Sequence, residues 1–185
     1  PEHWKTIFPN PQNGPARFLG KTYYVDFPHL RLIALDTDGL HRMSDYTQVA
    51  FWLKKTLRDA GKKFTIVMMH HPVYSTAEGR FNPFIWLAFH GAMREADVVF
   101  SGHDHNYARR TEHYKAHFWK KEEPTIFIGT NASIKKYPVK ENKKYEASLS
   151  GEPVYEHIFV TPNTLHISTY TIHSGKRIDH VEIIR

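Results

Sequence analysis

Two short, almost wholly apolar runs, Phe64-Thr65-Ile66-Val67-Met68-Met69 and Val98-Val99-Phe100-Ser101, each empty at once into histidine. His70-His71-Pro72 follows the first and Gly102-His103-Asp104-His105 the second. Apolar runs of about four to eight residues bounded by turn residues read as strands, and strands apolar on both faces belong to a sheet covered on both sides. Between the two runs, Asn82 and Pro83 suit the N-cap and first turn of a helix reaching about Glu95. Upstream, Asp45 and Gln48 suit a capping-box start, with Tyr46, Val49, Ala50, Leu53, Leu57 and Ala60 on one helical face and Gly61 as the stop. Strand-helix-strand units of this length imply right-handed crossovers in a partly parallel sheet. Both histidine runs then lie just beyond carboxyl ends of strands, where open α/β sheets place their ligands.

Residues 1–22, with Pro9, Pro11, Gly14, Pro15 and Gly20, read as loop. Strands are expected at 23–27, 30–36 and 125–129. Three more over 154–184 are joined at Thr161-Pro162-Asn163 and Ser174-Gly175-Lys176. The expected fold class is α/β, with mixed β-sheets flanked by helices and an antiparallel β tail, in a single domain over residues 1–185.

In an extended chain, residues two apart point to the same side, so His103 and His105 can aim at one metal cluster, serving two adjacent ions or one. Histidine binds metal as the neutral imidazole, the dominant form at neutral pH. An isolated His-x-His reads more simply as polar residues closing a strand. A second strand ending in His70 turns the balance toward metal. His71 either faces substrate, supports a ligand from behind, or merely starts the loop before Pro72. Asp104 would point away from its neighbours in a strand, orienting a ligand from behind or sitting in a solvated loop. Asn106, Tyr107 and Arg109 are expected to brace the loop, Asn106 also from behind the ligands.

Val67-Met68-Met69-His70 and Gly102-His103-Asp104-His105 together resemble the fourth and fifth metal motifs of the calcineurin-like metallophosphoesterases. Ser101 to Arg109 looks most like the purple acid phosphatase branch, with Ala108 departing from that branch's Glu. The likeness extends through Tyr23-Tyr24-Val25-Asp26-Phe27, Leu32-Ile33-Ala34-Leu35-Asp36-Thr37 and Trp52-Leu53, over most of residues 4–130. The family's first three motifs have no match, so the chain looks like the carboxyl-terminal half of a catalytic domain, half of the family's β-sandwich with helices. The resemblance implies a dinuclear centre of divalent or trivalent transition ions (iron, zinc or manganese). His70 and His103 would lie on one ion and His105 on the other, with Asp and Asn ligands from the missing amino-terminal half. It implies hydrolysis of a small phosphate ester, and an exported location, periplasmic or extracellular. Asp36, Asp38, Asp45 and Asp97 fit poorly as the absent carboxylates, so this chain alone is expected to hold one ion or none and to hydrolyse little.

The absence of cysteine excludes thiol catalysis, zinc ribbons and disulfide scaffolds. The net charge of +6 favours anionic ligands, although much of it sits in Lys135 to Lys144, which reads as a solvated loop with too little aromatic interleaving for a nucleic-acid binder. No apolar stretch approaches the ~20 residues of a membrane span. The start, Pro1-Glu2-His3-Trp4, lacks Met, and removal of something upstream is expected. Asp36-Thr37-Asp38-Gly39 opens like a calcium loop but has its glycine too early and Thr47 in place of the closing Glu. Gly20-Lys21-Thr22 precedes a strand where a phosphate loop needs a helix, and His113 with His117 lacks a convincing helix. The alternative to a hydrolase is a non-catalytic metal-binding or protein-interaction module.

Overall fold

The computed structural model describes residues 7–114 and 124–185. Its elements are β1 (Tyr23–Asp26), β2 (Leu30–Leu35), α1 (Met43–Arg58), β3 (Phe64–Met69), α2 (Pro83–Met93), β4 (Val98–Ser101), β5 (Tyr107–Glu112), β6 (Thr125–Gly129), β7 (Ala147–Leu149), β8 (Val154–Val160), β9 (Thr164–Thr171) and β10 (Arg177–Ile184). Seven strands form one sheet in the order β1-β2-β3-β4-β6-β5-β7, and β10-β9-β8 form a second. β2, β3, β4 and β6 run parallel, while β1 joins β2 and β5 joins β6 and β7 antiparallel. The second sheet is antiparallel throughout.

Alternation along the central strands explains why they read as unbroken apolar runs. Val67, Met69, Val99 and Phe127 point to α1 and α2, meeting Val49, Leu53, Leu57, Ile85, Phe89 and Met93. Phe64, Ile66, Val98, Phe100, Ile126 and Ile128 point the other way, onto Val154, Leu165, Ile167 and Val181 of the second sheet. The large sheet is therefore a middle layer between helices and a second sheet, and neither face can be polar.

Two polar ties lock these layers. Tyr107 Oη donates to Asp179 at 2.6 Å, and Arg109 donates to the same carboxylate through Nε at 2.5 Å and Nη2 at 3.0 Å, joining β5 to β10. Arg185 Nη2 donates to both oxygens of the buried Asp97 at 2.8 and 2.9 Å, and Asp97 also accepts from the backbone and hydroxyl of Thr65. Asp97 thus closes the amino-terminal ends of β3 and β4, opposite the histidines.

Several sequence expectations are corrected. Residues 1–22 are not loop throughout, since Ala16–Phe18 make a 3-10 turn with Phe18 N–H donating to the Pro15 carbonyl at 2.7 Å. Arg42, not Asp45, is the N-cap of α1. Asp45 is the third helical residue, its carboxylate accepting the N–H groups of His41 and Arg42 at 3.2 and 3.0 Å and pairing with Arg17. The second helix keeps Asn82 as cap and Pro83 as first residue but ends at Met93. β5 and β7 carry no apolar run. The Arg110 guanidinium of β5 is buried and stacks 4.0 Å from the Tyr74 ring centroid, so a buried strand reads as polar.

Candidate metal centre

Parallel pairing sets Met69 beside Ser101, so the two chains leave the sheet together. Gly102 N–H donates to the His70 carbonyl at 3.1 Å, carrying that pairing one residue further. His70 Nε2 and His103 Nδ1 then meet at 3.1 Å. His71 joins them with ring centroids 4.9 Å from His70 and 4.6 Å from His103, and one nitrogen from each of the three falls within a 4.8 Å cluster. The end of β2 supports the third ring, because His71 N–H donates to Thr37 Oγ1 at 3.1 Å and His71 Nδ1 lies 3.1 Å from that same oxygen.

Tetrahedral ligand atoms ~2.0–2.1 Å from an ion lie roughly 3.3 Å apart, so the 3.1 Å separation of His70 and His103 fits a shared metal. Burial lowers the pKa of His103, helped by repulsion from His71 and Arg80. It lowers His71 as well, outweighing the pull of Asp38, with a smaller repulsion from His70 adding to it. All this favours the neutral imidazole that binds metal.

A profile of the calcineurin-like phosphoesterases matches residues 5–107. The chain belongs to that family. Members of the calcineurin-like phosphoesterase family use metal ions for phosphoester chemistry, and a centre of ring nitrogens at the carboxyl ends of parallel strands accords with it. Among solved structures, GAP50, the anchor in the inner membrane complex of Plasmodium, superposes with a TM-score of 0.64 at 18% identity, over 88% of this chain and 53% of its own. PhoD superposes with a TM-score of 0.59 at 10% identity, over 90% of this chain and 41% of its own. At such identities the likeness is one of fold, and this chain spans about half the length of those structures or less. No curated protein matches it.

The histidine centre departs from its sequence reading in three respects. First, His103 and His105 do not share a strand face, because both adopt left-handed backbone, φ 69° and 50°. His105 leaves the three-ring cluster. Its Nδ1 lies 2.9 Å from Ser133 Oγ, and its ring meets Tyr137 edge-on at 5.3 Å. Burial lowers its pKa, with Lys135, Arg80 and His70 adding repulsion.

Second, Asp104 is neither solvated nor bonded to a histidine ring. It is buried, its Oδ2 accepting the N–H groups of Thr76 at 2.5 Å and Ala77 at 3.2 Å. Asn106 braces the same loop, accepting from Thr76 Oγ1 at 2.5 Å.

Third, Asp38, which fits poorly as a metal carboxylate from sequence, has its carboxylate 3.9 Å from His71 Nε2 on an open hollow of 250 Å³. Thr37, Arg80, Ser133 and Tyr137 were not foreseen. Arg80 donates to the His103 carbonyl at 2.9 Å and stacks 4.4 Å from the Tyr137 ring, with Lys135 5.1 Å from the same ring. Part of the lysine-rich loop therefore edges the site, and only strand-end position could have pointed to Thr37. Tyr107 and Arg109, expected to brace the loop, lie in β5 and instead tie it to Asp179 of β10. His117 lies outside the described residues.

Proposed function

We propose that this chain is the carboxyl-terminal half of a hydrolase of small phosphate esters, in which His70, His103 and His105 hold two transition-metal ions together with Asp and Asn ligands from the missing amino-terminal half. The observation that carries the reading is the 3.1 Å approach of His70 Nε2 to His103 Nδ1 at the tips of adjacent parallel strands. Iron, zinc or manganese suits imidazole with carboxylate, and such a pair would activate water and neutralise charge at phosphorus.

The protein's own groups do the positioning. Thr37 Oγ1 already accepts the His71 N–H, so its hydroxyl proton can turn to His71 Nδ1, which places the ring proton on Nε2. Neutral His71 then offers its Nε2–H as a hydrogen-bond donor to the departing ester oxygen, with Asp38 at 3.9 Å as its carboxylate neighbour. Arg80 holds the His103 backbone, and with Lys135 it supplies positive charge for an anionic ester. The run from Ser101 to Arg109 supports the purple acid phosphatase-like branch and, with it, an exported location. Ala108, 1% exposed within β5, is the residue that argues against that branch.

The test is His103→Ala in the full-length protein, with p-nitrophenyl phosphate and its bis ester as substrates. Losing a ligand to a centre worth several kcal/mol should lower turnover by about 10²–10³-fold and reduce bound metal. An unchanged rate with unchanged metal content would sink the reading.

A non-catalytic interaction module is the second reading. It is favoured by Met43, Phe51, Phe84 and Leu87, apolar side chains left exposed on a groove between α1 and α2. It predicts no turnover of either ester at any metal loading.

A further inference from the structure

The second sheet presents its outer face through the even-numbered residues of β9, since Leu165, Ile167 and Thr169 are buried. On that face Glu182 stands directly opposite His166, and His180 stands opposite Ser168, one step along and diagonal to His166. One ligand atom from each of His166, His180 and Glu182 falls within 4.8 Å of the others.

We propose that His166, His180 and Glu182 form a second transition-metal site, of the kind that takes zinc(II) or copper(II), on the outer face of β9 and β10. Two imidazoles and one carboxylate are the borderline donor set these ions select over calcium or magnesium. Antiparallel pairing holds the three Cβ atoms at fixed separations, so only side-chain rotation is needed to draw the donors from 4.8 Å to the roughly 3.3 Å of a tetrahedral shell. His180 and Glu182 are exposed and His166 is half-buried, so those rotations meet little packing.

The surroundings select which nitrogen binds. Ser168 Oγ lies 3.1 Å from His180 Nδ1, which fixes that ring by its far nitrogen and leaves Nε2 as the donor, as hydrogen-bonded metal ligands commonly are. His166 Nε2 and Glu182 Oε1 are 3.7 Å apart, too far for a hydrogen bond, so neither is committed to the other. The His166 and His180 rings lie nearly parallel, 5.9 Å between centroids, and Phe159 flanks His166 from β8 at 6.3 Å. Three protein donors leave a fourth position for water or an added ligand. The site belongs to the second sheet and shares no residue with the histidines beyond β3 and β4, so it stands whether or not the phosphoesterase reading does.

The experiment uses the full-length protein, stripped of metal by chelator and titrated with zinc chloride. Bound zinc is counted by elemental analysis, and the imidazole nitrogens are followed by ¹⁵N NMR. His166 and His180 resonances should shift together over one equivalent. The His166→Ala/His180→Ala double variant should bind one equivalent fewer, while His70→Ala keeps that equivalent. Glu182→Gln should weaken it by about 10-fold or more, at least the lower end of losses from outer-shell partners. Circular dichroism of the variants checks the fold, which substitutions at exposed or half-buried positions of this outer face leave intact. A double variant with the parent's zinc count, or zinc that never moves the His166 and His180 resonances, overturns the proposal.

Discussion

Asp104→Ala should destabilise the protein by about 3 kcal/mol, although this side chain touches none of the histidine rings. The carboxylate is 1% exposed and is the acceptor for two backbone donors, Thr76 N–H at 2.5 Å and Ala77 N–H at 3.2 Å, with Thr76 Oγ1 at 3.3 Å. Thr76 and Ala77 are themselves buried, so truncation leaves their donors without partners at a cost of ~1–3 kcal/mol each. For a domain of this size the sum corresponds to a fall of roughly 6–12 °C in Tm. Asp104→Asn keeps an acceptor oxygen but loses charge assistance, which about halves the strength of such bonds, so about 1.5 kcal/mol is expected.

Urea unfolding followed by circular dichroism gives both numbers, and hydrogen exchange at the Thr76 and Ala77 amides reports the bonds themselves. The same substitution should weaken metal binding in the full-length protein by about 10–100-fold, because Asp104 joins the loop after β3 to the turn that carries His103 and His105. A variant within about 0.5 kcal/mol of the parent, with exchange at both amides unchanged, would refute the reasoning; that is the range of an ordinary surface substitution.

Acid should weaken the tie between the sheets. Burial pushes the Asp179 carboxyl up, but hydrogen bonds from Arg109 and Tyr107 and the Arg109 charge outweigh it and hold the pKa below the ordinary carboxylate value. The native state therefore binds fewer protons than the unfolded state at this group, and its stabilisation is complete above the unfolded pKa of ~3.9 and is lost as pH falls through the native one. Urea midpoints at pH 7 and pH 3 should fall further in the parent than in Asp179→Asn, and equal falls would contradict this. His103→Gly should stabilise the metal-free protein by about 0.5–1 kcal/mol by relieving the left-handed backbone at φ 69°, while lowering metal content. A metal-free Tm below the parent's would count against strain at that residue.

The central strands and both helices were legible because hydrophobic burial imposes a pattern that a single sequence carries. Leu30–Leu35, Phe64–Met69 and Thr125–Gly129 are apolar on both faces because helices cover one and the second sheet the other. The strand ends followed, and with them His70 and His103. What stayed hidden depends on contacts between residues far apart in sequence. Arg110 is buried through a ring on a different loop, and Tyr137 reaches His105 from more than thirty residues away. Neither pairing leaves a local mark.

The turn from Gly102 to Asn106 shows why spacing alone misplaced His105. Two residues apart on a strand would put both rings on one side, but a strand cannot place a buried carboxylate between them and also deliver it to Thr76 and Ala77. Left-handed backbone at both histidines turns Asp104 inward, at ~1–2 kcal/mol for each residue. The hydrogen bonds Asp104 gains, worth about 3 kcal/mol by the reckoning above, are of the size needed to hold that strain. The same inversion sends the two rings apart, His103 to His70 and His105 to Ser133. If two ions do sit here, that divergence is what lets adjacent histidines of one short turn address different positions.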